Sequence, residues 1–298
     1  MSTISVASAR PSRSRRKPIS ISRILSYAAL IFWSLIVTLP LYWMFTTAFK
    51  TQIDMFPSKK YIPFLQYTPK LNAFEYLFTD FYRQIVNAFT NSLIAAAGSA
   101  VLATLIGAMA GYALIRFSYK FLWLRGSDDF AFWFVSQRML PPVAVVFPFL
   151  LMYRFIGLLD TAIGLMIAYT LFNLPLAVWI MRDAFRAVPL EIEESAWIDG
   201  ASRFVSFYRI ALPLALPGVV ASLLICFIFA WNEYLFALVL TNQRAQTLPV
   251  MLAAQATQQG NYFWNMAAIS MIAVAPVLVL GISMQRWIVR GLSAGGLK

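Results

Sequence analysis

The chain reads as an all-α integral membrane protein with six transmembrane helices. Three observations predict this: a composition too apolar for water, six hydrophobic runs of spanning length, and an uneven spread of basic residues between them. Of 298 residues, 60% are hydrophobic and only 12% charged, with a mean hydropathy of +0.70. A soluble domain carries about a quarter charged residues, so lipid solvates most of this chain.

The runs fall near 24–45, 88–115, 130–153, 161–181, 211–240 and 264–285. Each approaches the ~20 residues that a helix needs to cross a bilayer. Six crossings put both ends on one side. The first run follows a Ser-, Arg- and Pro-rich stretch, 1–23, read as a cytoplasmic basic tail. The run is too long for a signal-peptide core and is read as a retained anchor. With the N-terminus inside, sixteen Lys and Arg residues lie inside and seven outside, with Arg138 within a span. That bias predicts an N-in, C-in topology and also accounts for the net charge of +12 without nucleic acid.

Several function classes are excluded. There is no histidine, which removes imidazole acid–base chemistry and His-based metal sites. The one cysteine, Cys226, cannot form an intrachain disulfide. No Gly-x-x-x-x-Gly-Lys-Ser/Thr loop is present to hold ATP phosphates, so any ATP-driven step must come from another polypeptide. The expectation is a protein with no catalytic residues, no metal and no cofactor of its own.

Between the first two runs, 46–87 forms the longest external segment. Pro57, Pro63 and Pro69 among aromatics predict a structured periplasmic cap rather than a loose linker. In the second run Ala103, Gly107 and Gly111 recur four apart, which lets helix backbones approach within the bundle.

The segment 182–211 is different. Pro189 begins a helix, and Glu191, Glu193 and Glu194 lie near its positive end. Gly200 suits a left-handed cap that ends it, and Ser202 caps a second helix. In that helix Phe204, Phe207, Tyr208 and Ala211 would form one apolar face. Five acids against four bases in 182–210 argue against a helix lying on anionic headgroups. Two short helices at an angle, set between spans, must face water and a soluble partner.

Glu194, Ala196, Gly200, Ile210, Leu212 and Pro213 fall in register with Glu-Ala-Ala, a glycine four residues on, then Ile-x-Leu-Pro. Ser195 stands where the first Ala would be. The pattern resembles the cytoplasmic coupling loop of bacterial ABC importer permeases. That resemblance implies that Glu194, Ser195, Ala196, Asp199, Gly200, Ala201, Ile210, Leu212 and Pro213 couple the chain to a separate ATPase. It also implies the type I importer fold, with a permease domain over 24–290 and a C-terminal cytoplasmic tail over 291–298.

Polar residues at membrane depth usually face a cavity. Three groups qualify: Gln137 and Arg138 before Pro141-Pro142, Asn173 before Pro175, and Trp231-Asn232-Glu233. Aromatic faces stack on sugars and amides bond hydroxyls, so these residues are read as a substrate path. Asn173 could instead satisfy backbone freed by the proline, Arg138 and Glu233 could pair, and Trp231 could sit in an interfacial belt. Substrate contact is the stronger reading for Asn232 and Glu233.

The resemblance covers essentially the whole chain. Asn91-Ser92, Trp231-Asn232-Glu233 and the ending Gln285 to Gly296 look like the carbohydrate-uptake branch, similar to the second permease of maltose-type systems. Ser136 to Pro142 looks more like relatives that handle sugar alcohols. Membership implies a second permease subunit, two ATPase subunits that bind the ATP, a periplasmic or lipoprotein substrate-binding protein, and the bacterial inner membrane. Rival readings are an ion-coupled transporter, for which only Glu233 is a plausible intramembrane carboxylate, a membrane enzyme, and a scaffold.

Overall fold

A computed structural model describes residues 21–56, 60–117, 126–257 and 260–295. Most of the basic tail, Pro57, Lys59, Lys120, Arg125 and the last three residues lie outside these, as do the side chains of the closing Arg286 to Gly295 stretch.

The chain divides into a unit ending at Met44 and a unit from Phe45 onward. The first is nearly all of α1 (Ile21–Ala48), a helix with Pro40 in its interior. Leu30, Trp33, Val37 and Leu39 are all exposed along it, a surface suited to lipid rather than water.

The second unit opens with α2 (Gln52–Met55) and α3 (Asn72–Thr79). The described residues of this stretch are tied by side-chain bonds, while Pro57 of the expected cap lies outside them. The Asp54 carboxylate receives the Thr51 hydroxyl at 2.7 Å and pairs with Lys60 at 2.7 Å. The Tyr67 hydroxyl donates to the Thr46 carbonyl at 3.0 Å.

Two long helices form the frame. The 35-residue α4 (Tyr82–Arg116) is about 52 Å long at ~1.5 Å per residue. It packs against the 25-residue α7 (Ala162–Arg186). A β-carbon on Gly107 would stand 2.7 Å from Ala177 Cβ, and one on Gly111 would stand 2.6 Å from the Arg182 backbone nitrogen. The small-residue stripe therefore serves backbone-to-backbone packing inside the bundle, with Ala103 fully buried beside it.

The third and fifth runs are bent. Helix α5 (Ser127–Ser136) passes through a 3₁₀ turn at Gln137–Met139 into α6 (Pro142–Ile156). The axis turns by 83° at the Pro141-Pro142 step, where proline cannot continue the hydrogen-bond ladder. Next come α8 (Leu190–Ile198), α9 (Arg203–Ser206), a π-helical turn at Phe207–Ala211 and α10 (Leu212–Leu214). A 76° bend then leads into α11 (Leu216–Trp231).

Run 211–240 is thus not one continuous helix. It ends at Trp231, and a separate α12 (Leu235–Leu240) follows. The physical reason is Glu233, whose carboxylate accepts the backbone N–H of Phe236 at 3.0 Å and that of Ala237 at 3.4 Å, starting a new helix. Helix α13 (Leu248–Ala253), a two-residue antiparallel pair β1 (Ala256–Thr257) and β2 (Gly260–Asn261), and α14 (Phe263–Gly295) complete the chain. Among the described residues four helices are long and apolar enough to span a membrane, or up to six if each bent pair counts as one.

Candidate functional site: the elbow and the polar breaks

The α8–α10 segment is an elbow built by local chemistry. Pro189, with φ −58° and ψ 133°, sits just outside α8. Gly200 ends it in the left-handed region at φ +89°, where a β-carbon would be strained. The Ala201 N–H returns to the Ala196 carbonyl at 2.9 Å. The Ser202 hydroxyl then accepts the Val205 N–H at 3.3 Å and caps α9.

The second helix departs from expectation. Phe204, Phe207, Tyr208 and Ala211 do not share one covered face. Ala211 is buried, and Phe207 lies 4.9 Å from the Tyr112 ring. Phe204 is 75% exposed, and Tyr208 is also exposed. The π-helical turn is responsible, because its extra residue rotates the apolar stripe and divides it.

The elbow is anchored by Glu193, a residue that sequence reasoning placed only near the helix dipole. Its side chain is completely buried. Tyr112 donates to Oε2 at 2.6 Å and the Ser206 hydroxyl donates to the same oxygen at 3.2 Å. Arg116 closes on Oε1 through Nε at 2.8 Å and Nη2 at 2.6 Å. Arg116 Nη2 also donates to the Val188 carbonyl at 3.0 Å. This carboxylate and its arginine therefore tie the end of α4, the exit of α7 and both elbow helices, with two guanidinium N–H groups on one charged oxygen. The usable signal was spacing. Glu193 shares a helix face with Ala196 and Trp197, while Tyr112 and Arg116 stand four apart on α4.

The other side of the elbow is open. Glu194, Ser195, Asp199, Gly200 and Pro213 are exposed, and Ala196, Ala201, Ile210 and Leu212 are half-buried. Ile198, 88% exposed, adds an apolar knob beside the acids. Close by, buried Arg182 pairs with Asp128 at the start of α5 and receives support from Ser127 at 3.0 Å, fixing the bent third run to α7.

The six polar residues of the expected path do not converge on one point. Gln137 and Arg138 line a cavity of about 160 Å³ with Phe149 and Pro175. Arg138 lies over the Phe229 ring, 4.7 Å from its centre, and is not paired with Glu233. Trp231 and Asn232 line a different cavity of about 310 Å³, with Ser270. Trp231 is buried, stacks on Phe227 and donates to the Ala273 carbonyl at 2.9 Å, so it joins α11 to α14 rather than standing in a belt. Asn173 is buried and donates to the Cys226 carbonyl on α11 at 3.2 Å, outside its own helix.

At the end remote from the elbow, Asp160 organises the turn after α12. Its carboxylate receives the N–H groups of Asn242, Gln243, Arg244 and Ala245 at 2.9–3.3 Å. Burial pushes this carboxyl up, but the four N–H donors outweigh it and hold it below the usual range. Asn91 bonds the Arg244 carbonyl at 2.8 Å, and Ser92 accepts the Leu248 N–H at 2.9 Å. These contacts give Asn91-Ser92 a structural meaning.

Bent spans around a two-helix frame, with an anchored and part-exposed elbow between them, define a helical membrane permease. The chain belongs to the family described as the binding-protein-dependent transport system inner membrane component, which it matches over residues 121–294. It is 32% identical over 281 residues to the inner membrane ABC transporter permease protein YcjP of Escherichia coli, covering 94% of this chain and 98% of that one. It is 30% identical over 280 residues to the trehalose/maltose transport system permease protein MalG of Thermococcus litoralis, covering 93% and 98%. A bacterial ABC transporter that imports the acidic polysaccharide alginate shares the fold, with a TM-score of 0.70 at 21% identity, over 94% of this chain and all of that one. The protein is accordingly a multi-pass inner membrane permease of the ABC importer class.

Proposed function

We propose that this chain forms half of the translocation path of an ATP-driven importer for a sugar or sugar alcohol, and that its elbow is gripped by a separate ATPase. The observation that carries the reading is the two-sidedness of the elbow. One side is locked to α4 and α7 through Glu193 and Arg116, and the other offers Glu194, Asp199 and Ile198 to a partner. A push on such an element moves the helices it is fixed to instead of deforming the loop.

In this reading Glu194, Ser195, Ala196, Asp199, Gly200 and Ala201 meet the ATPase on the cytoplasmic side, and Ile210, Leu212 and Pro213 carry the motion into α11. The ATPase pair binds and hydrolyses the nucleotide, so this chain is not itself an enzyme. A second permease completes the path, and a periplasmic or lipoprotein binding protein delivers substrate. The N-in, C-in topology follows from the basic-residue bias. Of the expected path residues, Gln137 and Arg138 border the route at one cavity and Trp231 and Asn232 at another, while Asn173 and Glu233 line neither. The carbohydrate class is supported by the trehalose/maltose relative and by amide and aromatic residues at the breaks.

Cysteines at Glu194 and Ile198, cross-linked in the active assembly, are expected to trap the ATPase in a nucleotide-dependent manner. No adduct in a transporting assembly removes the docking reading. Calorimetric screening of the cognate binding protein against sugars, polyols, amino acids and metals tests the substrate class independently.

A further inference from the structure

A cavity of about 530 Å³ lies in neither the elbow nor the polar breaks. It opens where α3 meets the start of α4 and where α13 leads to α14, so nearly the full length of α4 separates it from the elbow. Its volume falls within the range of about 300–1,000 Å³ typical of small-molecule sites.

Four aromatic rings border it: Tyr76, Phe81, Tyr262 and Trp264. They are held in pairs, Tyr76 with Phe81 at 5.0 Å and Tyr262 with Trp264 at 5.6 Å between ring centres. Three amides, Asn72, Gln255 and Asn265, complete the polar lining, and no charged side chain contributes. Asn265 is only 6% exposed, and its Oδ1 has no hydrogen-bond partner among the described residues. Buried polar atoms are nearly always paired, so this acceptor, on a residue that lines the cavity, still has a hydrogen bond to make. Burial, with Asp80 and Tyr262 nearby, pushes the Tyr76 hydroxyl up, so it stays a neutral group that can donate.

We propose that this cavity is a binding site for one unit of a neutral saccharide or polyol, at the end of the bundle away from the elbow. Aromatic rings cover the C–H faces of such a ligand, and amides bond its adjacent hydroxyls as both donor and acceptor. Among the described residues that line it an anion would find no cation and would lose hydration without compensation. The ligand class is read from this lining and does not depend on the ATPase-docking reading.

The test uses the full-length chain in lipid nanodiscs and isothermal calorimetry. The probes are maltose, trehalose, diacetylchitobiose, sorbitol and mannitol, with an alginate oligosaccharide as the acidic comparison. At least one neutral probe is expected to bind. Asn265→Leu and Trp264→Ala are expected to weaken that binding about tenfold or more, as loss of a buried bond or a stacking face would. Asn72→Ala, at the exposed rim where folding is not at risk, should weaken it several-fold, and Trp264→Phe should retain it. Absence of binding by every neutral probe overturns the proposal. So does binding that survives Asn72→Ala and Trp264→Ala, binding lost only on Asn232→Ala, or a preference for the acidic oligosaccharide. If the binding protein proves specific for a non-sugar while this cavity still binds a neutral probe, the substrate-class reading fails and the site stands.

Discussion

Arg116 Nη2 meets Glu193 Oε1 at 2.6 Å, joining the last turn of α4 to the first turns of α8 with both side chains almost wholly out of solvent. Removing one partner strands the other charge. Glu193→Ala is expected to destabilise the purified protein by about 3–5 kcal/mol. Glu193→Ala with Arg116→Met should cost less than the sum of the two single changes. Thermal unfolding in detergent across this double-mutant cycle checks it, and strict additivity would show that the pair is not coupled.

Glu194, the next residue, is expected to behave in the opposite way. It is exposed, so Glu194→Ala should alter stability by no more than about 0.5 kcal/mol. Whole-cell uptake should nevertheless fall sharply. A destabilised protein, or unimpaired uptake, would contradict the division of roles between these neighbouring carboxylates.

Gly111 has no room for a side chain, because its added β-carbon would stand 2.6 Å from the Arg182 backbone nitrogen. Gly111→Ala must therefore push α4 from α7 and is expected to cost about 1–3 kcal/mol. Gly126, with nothing among the described residues within 4 Å of a built β-carbon, should tolerate alanine in the same unfolding assay.

Asp160 predicts a pH dependence of defined sign. Its folded carboxyl is held below the ordinary value by four backbone N–H groups, which outweigh burial. A depressed acid contributes stability that is present above the unfolded value of about 3.9 and is lost as pH falls through the folded value. Asp160→Asn should thus loosen the 242–245 turn at neutral pH, seen as faster proteolysis or amide exchange there. The difference from wild type should shrink below about pH 4. A constant difference through that window would mean that the charge is not what holds the turn.

Glu233 separates a helix-starting role from substrate contact. Glu233→Ala leaves the Phe236 and Ala237 N–H groups without their acceptor, at a cost of about 0.5–2 kcal/mol. Glu233→Gln keeps an acceptor and should keep most of that stability. If Glu233→Gln abolishes uptake with stability intact, the charge acts on the substrate and not only on the backbone.

Much of the elbow was legible because its determinants are local. The left-handed turn at Gly200 and the cap at Ser202 depend on residues within one or two turns, and the structure places both as read. The same holds for the Gly107 and Gly111 stripe, whose spacing reports a face without revealing the neighbour. The face of the second elbow helix was misread because a π-helical turn changes the angular step, and five residues of Phe-Tyr-Arg-Ile-Ala give no periodic warning of it. Glu193 was overlooked because its acceptor role depends on Tyr112, 81 positions away.

Composition and hydropathy sufficed for lipid residence, the helical class and the existence of an aqueous elbow, since the bilayer imposes these on any chain with such runs. Which of three glutamates anchors and which faces outward was decided only by packing against α4. Likewise Gln137 and Arg138 were separated from Trp231 and Asn232, into two cavities, by contacts between helices remote in sequence. A one-dimensional pattern records what a residue prefers, whereas the partner it finds is set by how the helices cross.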